Sequence, residues 1–238
     1  MQNAFYPSVI LLALLGCTSA SADPFGLERP TGRYPGVYRG KQNVIISVRN
    51  PQQIATLADA PESYEDATIL SFWATGATDS EFARLPILPA VRTVRIWGET
   101  ALTDKSLFVL ARLPTLSTLS IENAGITGKG FEYFVQSQRQ EGGARLDYLI
   151  FSTTSISREA LVDIGRINSL RVLWVESRTA CMDPNAVVES LSGHPSLTRL
   201  TIGFSDSEQW EESDRVRLRD AMPKTSVWFA VRSVRGNR

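Results

Sequence analysis

Between Leu107 and Ile121 the apolar positions fall at Leu107, Leu110, Leu113, Leu116, Leu119 and Ile121. The step is three until the last pair, where it becomes two. A step near three marks one face of a helix or 3₁₀ turn, and a step of two marks a half-buried strand. The stretch therefore predicts a helix end that runs into a short strand, Leu116 to Ile121. The same pattern recurs at Phe82, Leu85, Leu88, Val91, Val94 and Ile96. It recurs at Leu161, Ile164, Ile167, Leu170, Leu173 and Val175, and at Val188, Leu191, His194, Leu197, Leu200 and Ile202, where one histidine replaces an apolar residue.

Self-similarity at a fixed period points to stacked units. The middle apolar residues of the predicted strands are Ile46, Leu70, Val94, Leu119, Leu149, Leu173, Leu200 and Val227, spaced 24, 24, 25, 30, 24, 27 and 27 residues apart. Each has an apolar partner two residues on: Val48, Phe72, Ile96, Ile121, Phe151, Val175, Ile202 and Phe229. This resembles the leucine-rich-repeat family, whose unit is L-x-x-L-x-L-x-x-N/C-x-L, and its return segments resemble the longer, α-helical type of bacterial repeat. The resemblance covers residues 43 to 231 and is sharpest from Val91 to Ile202. It implies an α/β fold: a right-handed horseshoe solenoid with a concave parallel sheet of about eight strands and convex helices. It also implies a general role in binding other proteins, without naming one. One departure stands out. The Asn/Cys slot holds Glu99, Ala124, Thr154 and Arg178, so an asparagine ladder is absent. Thr75, Thr154 and Ser205 occupy the slot in other units and are expected to satisfy the backbone with hydroxyls.

Along the chain, strands are expected at Asn43–Val48, Ala67–Trp73, Val91–Trp97, Leu116–Glu122, Leu146–Ser152, Leu170–Glu176, Leu197–Phe204 and Val227–Val231. Helix starts are signalled by Asn50-Pro51 and Asp183-Pro184, each a capping residue before a first-turn proline. The sequence T-D-S-E from Thr78 to Glu81 has capping-box spacing and predicts a helix over 79–85. Thr103-Asp104 and Ser157 mark two more. Phe131 and Phe134 continue the fourth helix, and the polar run Gln136 to Gly143 reads as an insertion that the strand ladder does not need. The charged run 206–221 predicts an exposed amphipathic helix.

The N-terminus changes the picture. Val9 to Leu15 is apolar but too short to span a bilayer. Leu14-Leu15-Gly16-Cys17 resembles a bacterial lipobox, which would make Cys17 a lipidated N-terminus. Ala20-Ser21-Ala22 before Asp23 is a competing A-x-A cleavage signal. No Lys or Arg precedes the apolar run. The expected organisation is an export signal over 1–22, a Gly-, Pro- and Arg-rich linker or cap over 23–42, the repeat domain over 43–231 and a basic tail over 232–238. The protein is thus expected in the cell envelope as a lipoprotein, with periplasmic or secreted export as the alternative. Cys17 and Cys181 are the only cysteines. With Cys17 lipidated or removed, Cys181 is alone, which excludes a disulfide framework or a cysteine metal site; a partly buried bystander thiol is expected, with a reactive thiol as the alternative. The formal net charge is zero, so bulk charge gives no support to a nucleic-acid partner. The hydrophobic fraction of 43% and charged fraction of 21% are ordinary for a folded domain. A monomer is expected.

Strand residues between the buried ones face the open side of the sheet. Read by register, the middle outward column is Ser47, Ser71, Arg95, Ser120, Ile150, Trp174, Thr201 and Trp228. The column after it is Arg49, Trp73, Trp97, Glu122, Ser152, Glu176, Gly203 and Ala230. The column before it holds Ile45, Ile69, Thr93, Thr118, Tyr148, Val172, Arg199 and Ser226. Four of the five tryptophans, Trp73, Trp97, Trp174 and Trp228, therefore point outward. Exposed aromatics among Arg and Glu have the composition of a protein-binding hot spot. The candidate site is centred on Tyr148, Ile150 and Trp174 beside Val172, with Arg95, Glu122, Glu176 and Arg199 around it. The competing expectation is that residues 23–41 cover these rings, or that the rings are ordinary strand formers. A glycan ligand is a lesser alternative, because the trench lacks the Asn, Asp and Gln that sugar hydroxyls need. Envelope scaffolding is another.

Catalysis is not expected. The single histidine, His194, takes the slot that Leu88, Leu113 and Ile167 hold in other units, at a helix-to-strand corner. A structural role there is far commoner than a general base, and no nucleophile–His set can be built around it. No phosphate-binding glycine motif occurs. Glu122 and Glu176 share a column two strands apart, roughly 9 to 10 Å from strand spacing, a gap that suits an inverting glycosidase. A carboxylate hydrolase is the weakest of the alternatives. No cofactor and no metal are expected.

Overall fold

The computed structural model describes residues 34–153, 156–177, 182–205 and 210–232, without the side chains of 99, 100, 123, 124, 205 and 232. The export signals, Cys17, residues 23–33, Thr154, Arg178, Cys181 and the tail beyond 232 lie outside the described residues. Nine strands form one open sheet in sequential order: β1 Gly36–Arg39, β2 Val44–Val48, β3 Ile69–Trp73, β4 Thr93–Thr100, β5 Thr118–Ala124, β6 Tyr148–Thr153, β7 Val172–Ser177, β8 Arg199–Ser205 and β9 Ser226–Arg232. β1 runs antiparallel to β2, and the other eight are parallel.

The register follows the period-two pattern. Ile46, Leu70, Val94, Leu119, Leu149, Leu173, Leu200 and Val227 pair in one continuous row. The first seven are fully buried, and Val227, on the edge strand, is partly so. A single apolar cluster joins this row to the helices between the strands. Burying each such side chain is worth about 1.5–3 kcal/mol, and none can be buried within one unit, so neighbours stabilise each other.

The capping signals at Asn50, Thr78, Ser157 and Asp183 hold. Asn50 Oδ1 accepts from Gln53 N at 3.1 Å and starts α1, Pro51–Asp59. Thr78 and Glu81 form a reciprocal capping box on α2, Asp79–Phe82. This helix stops short of the expected 85: beyond Phe82 the chain tightens, with Arg84 N and Leu85 N donating three residues back to Glu81 O and Phe82 O, and Pro86 has no N–H to carry it further. Further helices are α3 Lys105–Leu110, α4 Glu132–Ser137, α5 Arg158–Gly165 capped by Ser157, α6 Pro184–Leu191 capped by Asp183, and α7 Glu212–Ala221. Each helix from α1 to α7 packs against its successor, apart from short 3₁₀ turns in between.

Three features were not foreseen. Residues 36–39, inside the stretch expected as linker or cap, form a strand that folds back antiparallel on β2. β2 pairs with β3 along one edge, β1 fills the other, and buried Gln53 fixes the incoming chain by donating from Nε2 to Tyr34 O at 2.9 Å. Arg39 then pairs with Asp66. Asp104 does not cap its own helix. Its carboxylate accepts from Thr127 N, Thr127 Oγ1 and Gly128 N at 2.9, 2.7 and 2.7 Å, in the next unit. Asp79 does the same for Thr103 N and Oγ1 at 2.9 and 2.5 Å. These carboxylates, with hydroxyls such as Thr115 and Thr225 donating to carbonyls 24 to 28 residues back, tie each strand–helix segment to the one before it. Thr75 acts as expected, its Oγ1 accepting from Ala77 N at 3.1 Å. Finally, Trp210 is buried against Phe204 and Phe229 and donates to Met182 O at 2.7 Å. The guanidiniums of Arg215 and Arg219 lie 5.4 and 5.0 Å from the Phe229 ring, so α7 covers the last unit with cation–π contacts.

The run 136–143 leaves the ladder intact, since Leu119 still pairs with Leu149. It is nonetheless anchored. Ser137 is buried, donates to Ala111 O and accepts from Ala144 N, each at 2.9 Å.

Candidate functional site

The outward columns of the sheet divide into two patches. In the C-terminal half, Tyr148, Val172 and Arg199 pair across β6, β7 and β8. Beside them Ile150, Trp174, Thr201 and Trp228 pair across β6 to β9. Neighbouring strands lie about 4.8 Å apart, so these side chains stand shoulder to shoulder. Tyr148, Ile150, Val172 and Trp174 are half-buried, Arg199 is exposed, and Trp228 is 61% exposed. Trp228 Nε1 donates to Ser226 Oγ at 2.9 Å, which fixes the ring while leaving its faces open. Burial pushes the Tyr148 phenol up from its ordinary value, and the nearby Arg199 charge opposes this. The phenol therefore stays protonated at neutral pH and can donate to a partner.

The N-terminal half is built differently. Trp73 and Trp97 pack edge to face, with centroids 4.2 Å apart and planes at 79°. The Arg49 guanidinium lies 5.6 Å from the Trp73 ring and that of Arg95 lies 5.7 Å from Trp97. Ser47, Ser71 and Ser120, each 5% exposed, form the floor beside them. Both tryptophans are half-buried and on the outward side, as the register requires. Arg49 is absent from the candidate set above. The available signal was its place in the column directly before Trp73.

The two glutamates part company. Glu122 is half-buried, with Ser120 Oγ 3.5 Å from Oε1. Glu176 is buried at 5% exposure and accepts from Ser152 Oγ at 3.1 Å. It lies on Gly203, where any Cβ would come within 2.8 Å of the Glu176 Cβ and Cγ. The missing side chain at 203 lets Glu176 fold down onto the sheet, so it gives almost no surface to a partner. Its carboxylate is held by Ser152, the residue between the two glutamates in their row, and this arrangement gives no support to paired-carboxylate hydrolysis.

His194 sits at the helix-to-strand corner expected of it. Its Nδ1 accepts from Ser196 N and Leu197 N at 3.3 and 3.1 Å, which leaves Nε2 to donate to Ile167 O at 3.2 Å. Burial lowers its pKa below the ordinary value, with the Ile167 hydrogen bond opposing. The neutral ring is the folded form. The unfolded chain takes up the proton first, so stability is complete above the ordinary pKa of about 6.5 and falls as pH drops towards the depressed value. We expect the melting temperature to fall more steeply between pH 7 and pH 5 in the wild type than in His194→Gln. Parallel curves in thermal melts would show that the ring does not titrate with unfolding.

Among the described residues no group of three His, Cys, Asp or Glu could hold a metal ion. No described helix is long and apolar enough to cross a membrane. No protein-family model matches the chain, and no curated protein matches it.

Proposed function

We propose that the chain is a leucine-rich-repeat-type solenoid whose open sheet face binds an extended protein segment, without catalysis. What carries the reading is the row Ile150, Trp174, Thr201 and Trp228 beside Tyr148 and Val172: an aromatic and aliphatic surface on rigid strands, outside the core, with Arg199 at its rim. A solenoid core does not need these rings, and large amphipathic aromatics in the open are the usual anchors of a protein interface. Units 24 to 30 residues apart, strands in sequential order and one shared register support the solenoid. The shape of the surface also favours a peptide over a small molecule. Shallow depressions of about 290 and 330 Å³ lie at the end of α4 and between α5 and α6, away from this face, whereas small ligands are normally held in clefts.

The module acts as a monomer, exported and tethered to the envelope through lipid on Cys17. Mass spectrometry of the mature N-terminus distinguishes an acylated Cys17 from a chain starting at Asp23. The binding reading is tested by capturing partners from the protein's own cells with the wild type and with Tyr148→Ser/Trp174→Ser. Anchors of this kind are worth about 2 kcal/mol or more each, so affinity for the captured partner should fall about thirty-fold for each anchor removed, and several hundred-fold where the two losses add. An unchanged capture by a normally folded double variant ends the proposal.

A further inference from the structure

If the open face binds a peptide, as just proposed, its N-terminal half has a chemistry of its own. Arg95 stands on β4 between Ser71 and Ser120 and is half-buried. Burial has cost its guanidinium hydration, which is why its pKa is lowered, although a guanidinium stays charged. It has the Trp97 ring at 5.7 Å, and no ion pair of Arg95 is found among the described residues. Its register neighbour Ser120 lies 3.5 Å from the Glu122 carboxylate, yet Arg95 itself makes no ion pair with that group. A partly desolvated cation that faces a ring and is left without an ion pair among the described residues is half of one. Beside it, Trp97 Nε1 is buried and has no acceptor among the described residues, and neither has Ser47 Oγ, on β2. Native proteins rarely leave such donors unmatched, and the exceptions call for a cause.

We infer that this corner receives a carboxylate from an acidic side chain of an extended peptide crossing β2 to β5, with Arg95 as its ion partner and Trp97 Nε1 as a hydrogen-bond donor. The Arg95 side chain is the movable part. As its guanidinium leaves the indole face to meet the anion, it uncovers the Trp97 N–H. Trp73 braces Trp97 edge-on, so the donor keeps its position while the arginine moves. One unmatched guanidinium answers one negative charge, which favours a carboxylate over a doubly charged phosphate. The guanidinium fork also matches the two oxygens of a carboxylate.

The test uses the full chain and three labelled, end-blocked ten-residue peptides in which Leu alternates with Glu, Gln or Lys, read by fluorescence anisotropy. The Glu peptide should bind the wild type at least ten-fold more tightly than the Gln peptide. Arg95→Gln should erase that preference while keeping the Gln-peptide affinity, and Tyr148→Ser/Trp174→Ser should weaken both peptides and keep the preference. In a ¹H–¹⁵N spectrum one of the five indole N–H signals, absent in Trp97→Phe, should move downfield with the Glu peptide alone. Equal binding of Glu and Gln peptides, a preference that survives Arg95→Gln, or no binding of any peptide overturns the inference. So does tighter, Arg95-dependent binding of inorganic polyphosphate or a sulfated oligosaccharide. Equal, measurable binding of the Glu and Gln peptides by the wild type, weakened by Tyr148→Ser/Trp174→Ser, sinks the inference and leaves the wider binding reading standing, so the two failures are distinguishable.

Discussion

Replacing Leu119 with Asp should abolish cooperative folding. Leu119 is fully buried in the middle of the central row, between Val94 of β4 and Leu149 of β6. Removing a buried leucine side chain alone costs about 2–5 kcal/mol. A carboxylate in its place either stays charged in an apolar interior or takes up a proton to avoid it, and either route adds several kcal/mol more. Domains of this size are stable by about 5–15 kcal/mol in all. Because Leu119 lies in one buried row that is paired across β2 to β9, the damage should spread to neighbouring strands. Hydrogen exchange should show lost protection across β4 to β6 and beyond, with the edge near β1 affected last. A variant that melts within a few degrees of the wild type would mean that Leu119 does not sit in a shared interior.

Gly165→Ala should destabilise the protein by about 2 kcal/mol, with two effects opposed. Alanine is the better helix former by about 1 kcal/mol, and Gly165 is the last residue of α5. A Cβ built there, however, would lie 2.0 Å from Ser190 O and 3.0 Å from Ser190 C on α6. That obstacle is backbone, not a side chain that can rotate away. The two helices must separate, and overpacking of this kind costs about 1–3 kcal/mol and at times more, so sterics outweigh propensity. At about 2–4 °C per kcal/mol for a chain this long, the melting temperature should drop by about 4–8 °C. A rise would show that the close approach of α5 and α6 is wrong.

Much of the fold was legible in the sequence. A step of three changing to two, repeated every 24 to 30 residues, places both the strands and their register, because slipping a strand by one residue would turn its buried set outward. Caps such as Asn50 and Thr78 were legible for a related reason: their hydrogen bonds are local, closing within three residues. β1 was hidden because Gly36 to Arg39 has no unit of its own. Its strand conformation is imposed by the open edge of β2 and by Gln53, which holds Tyr34 from 19 residues further along the chain. Asp104 looked like a helix cap, and nothing local shows that its carboxylate serves Thr127 and Gly128 instead.

For the candidate site, the sequence by itself determined which residues point outward, since alternation along a strand is a property of the backbone. Only the tertiary structure decided what each outward residue has left to offer. Trp228 remains open because it stands on the edge strand β9, while Glu176 is folded down over Gly203. Trp73 and Trp97 pack on each other, and Arg95 covers Trp97. Such differences depend on the neighbours that two or three strands bring together across more than twenty residues of chain, and those contacts leave no periodic trace along it.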